Sequence, residues 1–239
     1  MPSVVFFETT VLIAASIREI EFSPTPIEHM FYDTSKGLIR LAPKGKIIGI
    51  ISYTVEEQAE RRLEKALKDT IQECIGDRKL IDEDYETFSV ILDKVGRNFK
   101  ENIRCLDRLA TSLEQVREVK AVEVLPMYGE LAGERPPVAW TYTPRLKPVA
   151  ITVTRLQWER YLAGLRWKEI IPDEIDMEIL SEAICLKRER FSGHRFFLAS
   201  LDKHFSGSPR EPWNQIPIKI EEQFQIFCNY PNEIIELVR

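Results

Sequence analysis

The chain has 239 residues, is 44% hydrophobic and carries a formal net charge of −5. That length and apolar content support a substantial buried core and exclude wholesale disorder, and the mildly acidic balance excludes a global field that draws polynucleotides, so any nucleic-acid binding must come from a local patch. No apolar run approaches the roughly 20 residues of a membrane span, no signal-peptide pattern fits before Glu8, and Cys74, Cys105, Cys185 and Cys228 lack zinc or redox spacing; the expectation is a cytoplasmic protein with free thiols.

In chain order, the runs at 4–7, 47–51 and 195–200 are apolar without polar alternation, as strands buried on both faces should be. Helical patterns fall over about 10–20, 26–41, 54–75 and 176–190. Strands alternating with helices in this way predict an α/β fold on a parallel sheet. Residues 83–119 read as two helices, one with Phe88, Ile91, Leu92 and Val95 on a face, the other with Ile103, Leu106, Leu109, Leu113 and Val116. From 120 to 169 the chain reads as an insertion. Pro126, Gly129, Gly133, Pro136, Pro137, Pro144 and Pro148 predict loops, Val149 to Val153 a short strand, and Arg155 to Lys168 a helix. The tail reads as a last strand over Ile216-Pro217-Ile218-Lys219-Ile220 and a closing helix from Pro231 to Val238. These elements fit a single α/β domain over 1–239, with a core from 1–75 and 170–239, a helical pair at about 83–119 and a basic, aromatic insertion at about 120–169.

Two acids stand where apolar strands end: Glu8 after Val4-Val5-Phe6-Phe7, and Asp202 after Phe196-Phe197-Leu198-Ala199-Ser200-Leu201. The carboxyl ends of neighbouring parallel strands form the crevice where such sheets bind ligands. Carboxylates gathered there repel one another unless a cation sits between them, which points to a divalent metal. Each acid also has a simpler reading. Glu57 closes a capping box with Thr54, Asp176 complements a helix dipole at a helix start, and Asp202 can bond its own turn. Glu8 is hardest to explain away, because a charge beside Phe7 costs several kcal/mol unless paired.

The segments Phe6-Phe7-Glu8-Thr9-Thr10-Val11-Leu12-Ile13 and Leu198-Ala199-Ser200-Leu201-Asp202-Lys203-His204-Phe205 resemble the opening and late motifs of PIN-domain nucleases. In that family a second acid opens the helix after strand two, matched by Glu57 in Ser52-Tyr53-Thr54-Val55-Glu56-Glu57. A third begins a helix before the late strand, matched by Asp176. The resemblance covers about 1–75 and 170–239. It implies a PIN-like three-layer α/β/α fold, with about five parallel strands and an insertion before the last βα unit. It also implies a metal-dependent endoribonuclease, with Glu8, Glu57, Asp176 and Asp202 as catalytic acids. Glu8, Asp176 and Asp202 would hold Mg²⁺ or Mn²⁺, with Thr10, Ser52 and Ser200 orienting them. The alternatives it leaves open are an inactive PIN-fold module that binds RNA or protein, and the toxin of a toxin–antitoxin pair; a homo-oligomer is expected, and no membrane partner. One departure is visible. Glu8 and Thr10 stand where most of the family has Asp and Asn, and the extra methylene moves the carboxylate outward by about 1.5 Å, which Mg²⁺ geometry tolerates poorly.

Residues 135–168 carry seven bases against one acid, interleaved with Trp140, Tyr142, Trp158, Tyr161 and Trp167. Such a mixture suits single-stranded RNA, with Arg145, Arg155, Arg160 and Arg166 on phosphates and rings on bases. The competing reading is packing, since Trp158, Tyr161, Leu162 and Leu165 fall on one helical face. His29, His194 and His204 have no zinc spacing, and His204 is expected to be a solvent-facing turn residue.

Overall fold

The computed structural model describes residues 1–17, 31–76, 81–132, 170–209 and 212–238. The chain divides into two compact units, the first comprising Met1–Leu109, His194–Leu201 and Cys228–Arg239, the second Ala110–Gly193 and Asp202–Phe227. Among the described residues no helix is long and apolar enough to cross a membrane.

The first unit is organised by a five-stranded parallel sheet of β1 (Ser3–Phe7), β2 (Ile47–Ser52), β3 (Asp107–Leu109), β4 (Phe196–Ala199) and β5 (Ile226–Asn229), in the order β3-β2-β1-β4-β5. β1 is central. Val4, Val5, Phe6 and Phe7 have no exposed surface, which matches their unbroken apolar sequence. Register pairs Phe6 with Ile50 on one side and Phe7 with Ala199 on the other. Gly49 of β2 is required by packing: a Cβ there would stand 2.8 Å from the Ala42 Cβ and 2.7 Å from Leu106 Cδ2.

Around the sheet this unit places α1 (Thr9–Ala14), α2 (Tyr32–Ile39), α3 (Tyr53–Ile75), α4 (Asp82–Arg104) and α10 (Pro231–Val238). Ser52 caps α3, its hydroxyl accepting from Val55 N at 3.2 Å, so the helix starts before the Thr54 capping box read from sequence. The C-terminal half of α4 faces the core through Val95, Phe99 and Ile103. There, Asn102 Nδ2 donates to the Ala15 carbonyl at 3.0 Å and Asn98 to that of Ser16 at 3.3 Å. Carbonyls that the end of α1 leaves without helical partners are satisfied in this way.

The second unit is helical: α5 (Leu113–Val119), a π-helical turn (Lys120–Val124), α6 (Leu125–Leu131), α7 (Glu174–Glu189), α8 (Lys203–Ser206) and α9 (Gln215–Phe224). Asp173 caps α7, accepting from Ile175 N and Asp176 N at 2.9 Å each. Met177, Ile179, Leu180, Ala183, Ile184 and Leu186 are buried along it.

Three expectations are corrected here. Residues 83–119 are one 23-residue helix, then strand β3, then α5; Ile103, Leu106 and Leu109 therefore do not share a helix with Leu113 and Val116, because the chain leaves the helix after Arg104 to pair β3 with β2. Residues 120–131 are helical rather than looped. Pro126 sits in the first turn of α6, where a missing N–H is tolerated, and Gly129 is buried within the helix. Ile216 to Ile220 is helix α9 rather than the last strand: Ile216, Ile220 and Phe224 are buried at helical spacing, and Pro217 again lies in a first turn. Gln225, at φ 57, ends α9 in the left-handed region and releases the chain into β5. Residues 133–169, with the expected strand at Val149 to Val153, the helix from Arg155 and the arginines Arg145, Arg155, Arg160 and Arg166, lie outside the described residues.

Candidate metal centre

The chain runs from β1 to β2 and β3 on one side of the sheet, and β4 and β5 lie on the other. The order reverses between β1 and β4, and carboxyl ends at such a reversal border the ligand crevice of open parallel sheets. Glu8 follows the end of β1 and Ser200 the end of β4. Both are buried, Glu8 at 1% exposure. Glu8 Oε2 accepts from Thr10 N at 3.0 Å, from the Thr10 hydroxyl, and from Ser200 Oγ at 3.1 Å. Thr10 Oγ1 in turn accepts from Leu201 N at 3.0 Å. Glu8 is thereby also the N-cap of α1. Its carboxyl group is anchored by these donors.

The second unit holds a constellation of its own residues. Asp176 in the first turn of α7, Asp202 before α8 and His204 within α8 offer ligand atoms that all lie within 4.8 Å of one another. Asp176 is 7% exposed; the Asp202 and His204 side chains are 23% and 19% exposed. Local geometry explains the pairing of the last two. Asp202 caps α8, its Oδ1 accepting from His204 N at 2.8 Å, and the same oxygen lies 2.8 Å from His204 Nδ1. Further contacts hold His204 in place. Its ring meets Trp213 edge-on at a centroid distance of 5.2 Å, and the Tyr128 hydroxyl donates to the His204 carbonyl. Lys203 Nζ lies 4.1 Å over the Trp213 ring. Gly207, at φ 71, has its Cβ direction only 2.6 Å from the Trp213 carbonyl, so α8 can end against Trp213 only with glycine there.

Two carboxylates and an imidazole fit a small divalent ion. Ligands at about 2.0–2.1 Å lie about 3 Å apart when adjacent and about 4.2 Å apart when opposite in an octahedron, so donors spread over 4.8 Å draw together to share one ion. Oxygen donors suit Mg²⁺ and Mn²⁺, and the imidazole shifts preference toward Mn²⁺ and softer first-row ions.

The remaining sequence-predicted residues take other positions. Glu57 is on the solvent side of α3, 65% exposed and ion-paired with Arg61. Its neighbour Gln58 is the residue directed toward α1, where the Thr9 hydroxyl donates to Gln58 Oε1. Ser52 serves as the α3 cap. His204 is a correction: it is held against Asp202 and Trp213 rather than turned to solvent. The sequence signal for it was its place two residues after Asp202, the spacing at which an N-cap side chain meets the helix's second residue. Nothing local marked Trp213 or Gln58. No protein-family model matches the chain, and comparisons with curated proteins and with solved structures gave no match.

Proposed function

We propose that the protein is a divalent-metal-dependent endoribonuclease with a PIN-like three-layer α/β/α fold. The observation that carries this reading is the convergence of Asp176, Asp202 and His204, of which Asp202 and His204 follow β4 in the chain. When bound, a divalent ion supplies a water of lowered pKa and offsets charge at a phosphodiester. Asp176, Asp202 and His204 would hold the ion, and Asp202 Oδ1, 2.8 Å from His204 Nδ1, orients the ring. Thr10 and Ser200 hold the Glu8 carboxyl in place at the sheet's reversal point through their hydrogen bonds. RNA is the substrate implied by the resemblance and by the basic, aromatic composition of 135–168. The test is cleavage of mixed single-stranded RNAs by the purified chain in Mn²⁺, in Mg²⁺ and in chelator. Activity restored by Mn²⁺ and lost in Asp176→Asn is the expected result; metal-independent cleavage, or none with either ion, rejects it.

A second reading rests on Glu8. Its hydrogen bonds to Thr10 and Ser200 and its cap on α1 give it a structural use without any ion, which favours an RNA- or protein-binding module that retains the fold but not the chemistry. Binding of RNA without cleavage, unaffected by chelator, distinguishes this module from the enzyme.

A further inference from the structure

Helix α4 carries one straight apolar stripe with two different fates. Ile81 just before the helix, then Tyr85, Phe88 and Leu92, continue into Val95, Phe99 and Ile103 at spacings of three and four, so all lie along one face. The C-terminal three are buried at 4%, 7% and 4% exposure. At the other end Ile81 is 54%, Tyr85 58% and Leu92 39% exposed, and Phe88 is half-buried. Exposed apolar side chains scattered singly need no explanation, but a contiguous row that prolongs a core face does.

The charge beside this row selects what can cover it. Residues 82–93 contain five acids, Asp82, Glu83, Asp84, Glu86 and Asp93, and no base. At 100° per residue, Asp82, Glu86 and Asp93 fall along one flank of the stripe. A second copy packed on the same half-helix would set acid against acid, and RNA or an anionic lipid surface would be repelled in the same way. We propose that the N-terminal half of α4 docks an amphipathic helix of another protein, one whose apolar stripe is flanked by lysine or arginine. Apolar anchors at i, i+3 and i+4 enter the row, and bases meet the acidic flank. This inference is independent of the nuclease reading.

The test uses the full chain and a labelled probe peptide of about three heptads with leucine at a and d and lysine at e and g, its binding read by fluorescence anisotropy. A peptide with the same leucines but glutamate at e and g is the control. The expected result is binding of the basic peptide, at least about tenfold weaker binding of the acidic one, and at least about tenfold weakening by Tyr85→Ser/Leu92→Ser, which leaves the charge unchanged. A second variant, Asp82→Asn/Glu86→Gln/Asp93→Asn, should retain the fold and flatten the salt dependence of binding. Equal affinity for the two peptides, or wild-type affinity in both variants, overturns the proposal. So does a concentration-dependent dimer in sedimentation that Tyr85→Ser/Leu92→Ser abolishes, since a second copy would then occupy the face.

Discussion

Replacing Asp202 by Asn separates two of the jobs its carboxylate performs. As N-cap of α8 it accepts from His204 N, and Asn caps about as well as Asp. In Asp202→Asn the side-chain amide oxygen can therefore keep that bond, and stability should change by well under about 1 kcal/mol. Asp202→Ala removes the cap and costs about 1 kcal/mol, which in a chain of this size lowers Tm by about 2–4 °C. As a metal ligand, by contrast, the carboxylate contributes charge that no amide supplies. Partners one step removed from an ion are themselves worth about 10–100-fold in metal affinity, so loss of a direct ligand should weaken Mn²⁺ binding by at least that, or about 1.4–2.7 kcal/mol. Calorimetric titration with Mn²⁺ alone, beside thermal melts of wild type and both variants, reads the two effects separately. Unaltered Mn²⁺ affinity in Asp202→Asn would refute the metal assignment. A fall in its Tm as large as that of Asp202→Ala would refute the geometry of the cap.

Glu8→Gln should abolish RNA cleavage while Glu8→Asp retains it, and the lost charge on the hydrogen bonds from Thr10 and Ser200 should cost about 1–3 kcal/mol in denaturant titration; full activity in the Gln variant shows that the carboxylate is not needed. Gly49→Ala should destabilise by about 1–3 kcal/mol through contact with Ala42 and Leu106, leaving Mn²⁺ affinity unchanged; a neutral result contradicts the packing account of β2. Burial, followed by the neighbouring Glu189, pushes the Cys185 thiol up from 9.0 to about 11. The unfolded chain therefore releases this proton first as pH rises, and the thiol's contribution to stability is full below about pH 9 and is lost toward about pH 11. The Tm difference between wild type and Cys185→Ala should shrink across that window, and a constant difference sinks the assignment. Replacing Arg155, Arg160 and Arg166 together by Gln should flatten the log–log salt dependence of single-stranded RNA binding by up to about two units, at about 0.7 per phosphate contact; an unchanged slope places the RNA path elsewhere.

Much of the sheet was legible because the relevant signals are local. Val4 to Phe7, Ile47 to Ile51 and Phe196 to Ala199 are unbroken apolar runs, and that pattern alone marks strands covered on both faces. Helices α3 and α7 announced themselves by their 3.6-residue period, and the acids Glu8 and Asp202 by their place after strands. What the sequence left open depended on partners distant in the chain. Asp107-Arg108-Leu109 is too short and too polar to show a period, and is a strand only because the edge of β2 is there to pair with it. Ile216 to Ile220 fits either period over so few residues, and burial of Ile216, Ile220 and Phe224 decided for helix. The same holds for chemistry. Sequence placed Asp176 at a helix start and Asp202 in a turn after a strand, but only tertiary packing brought Asp176 to Asp202 and His204 and set His204 against Trp213, because convergence of side chains is a property of how separate elements pack and not of any one element's pattern.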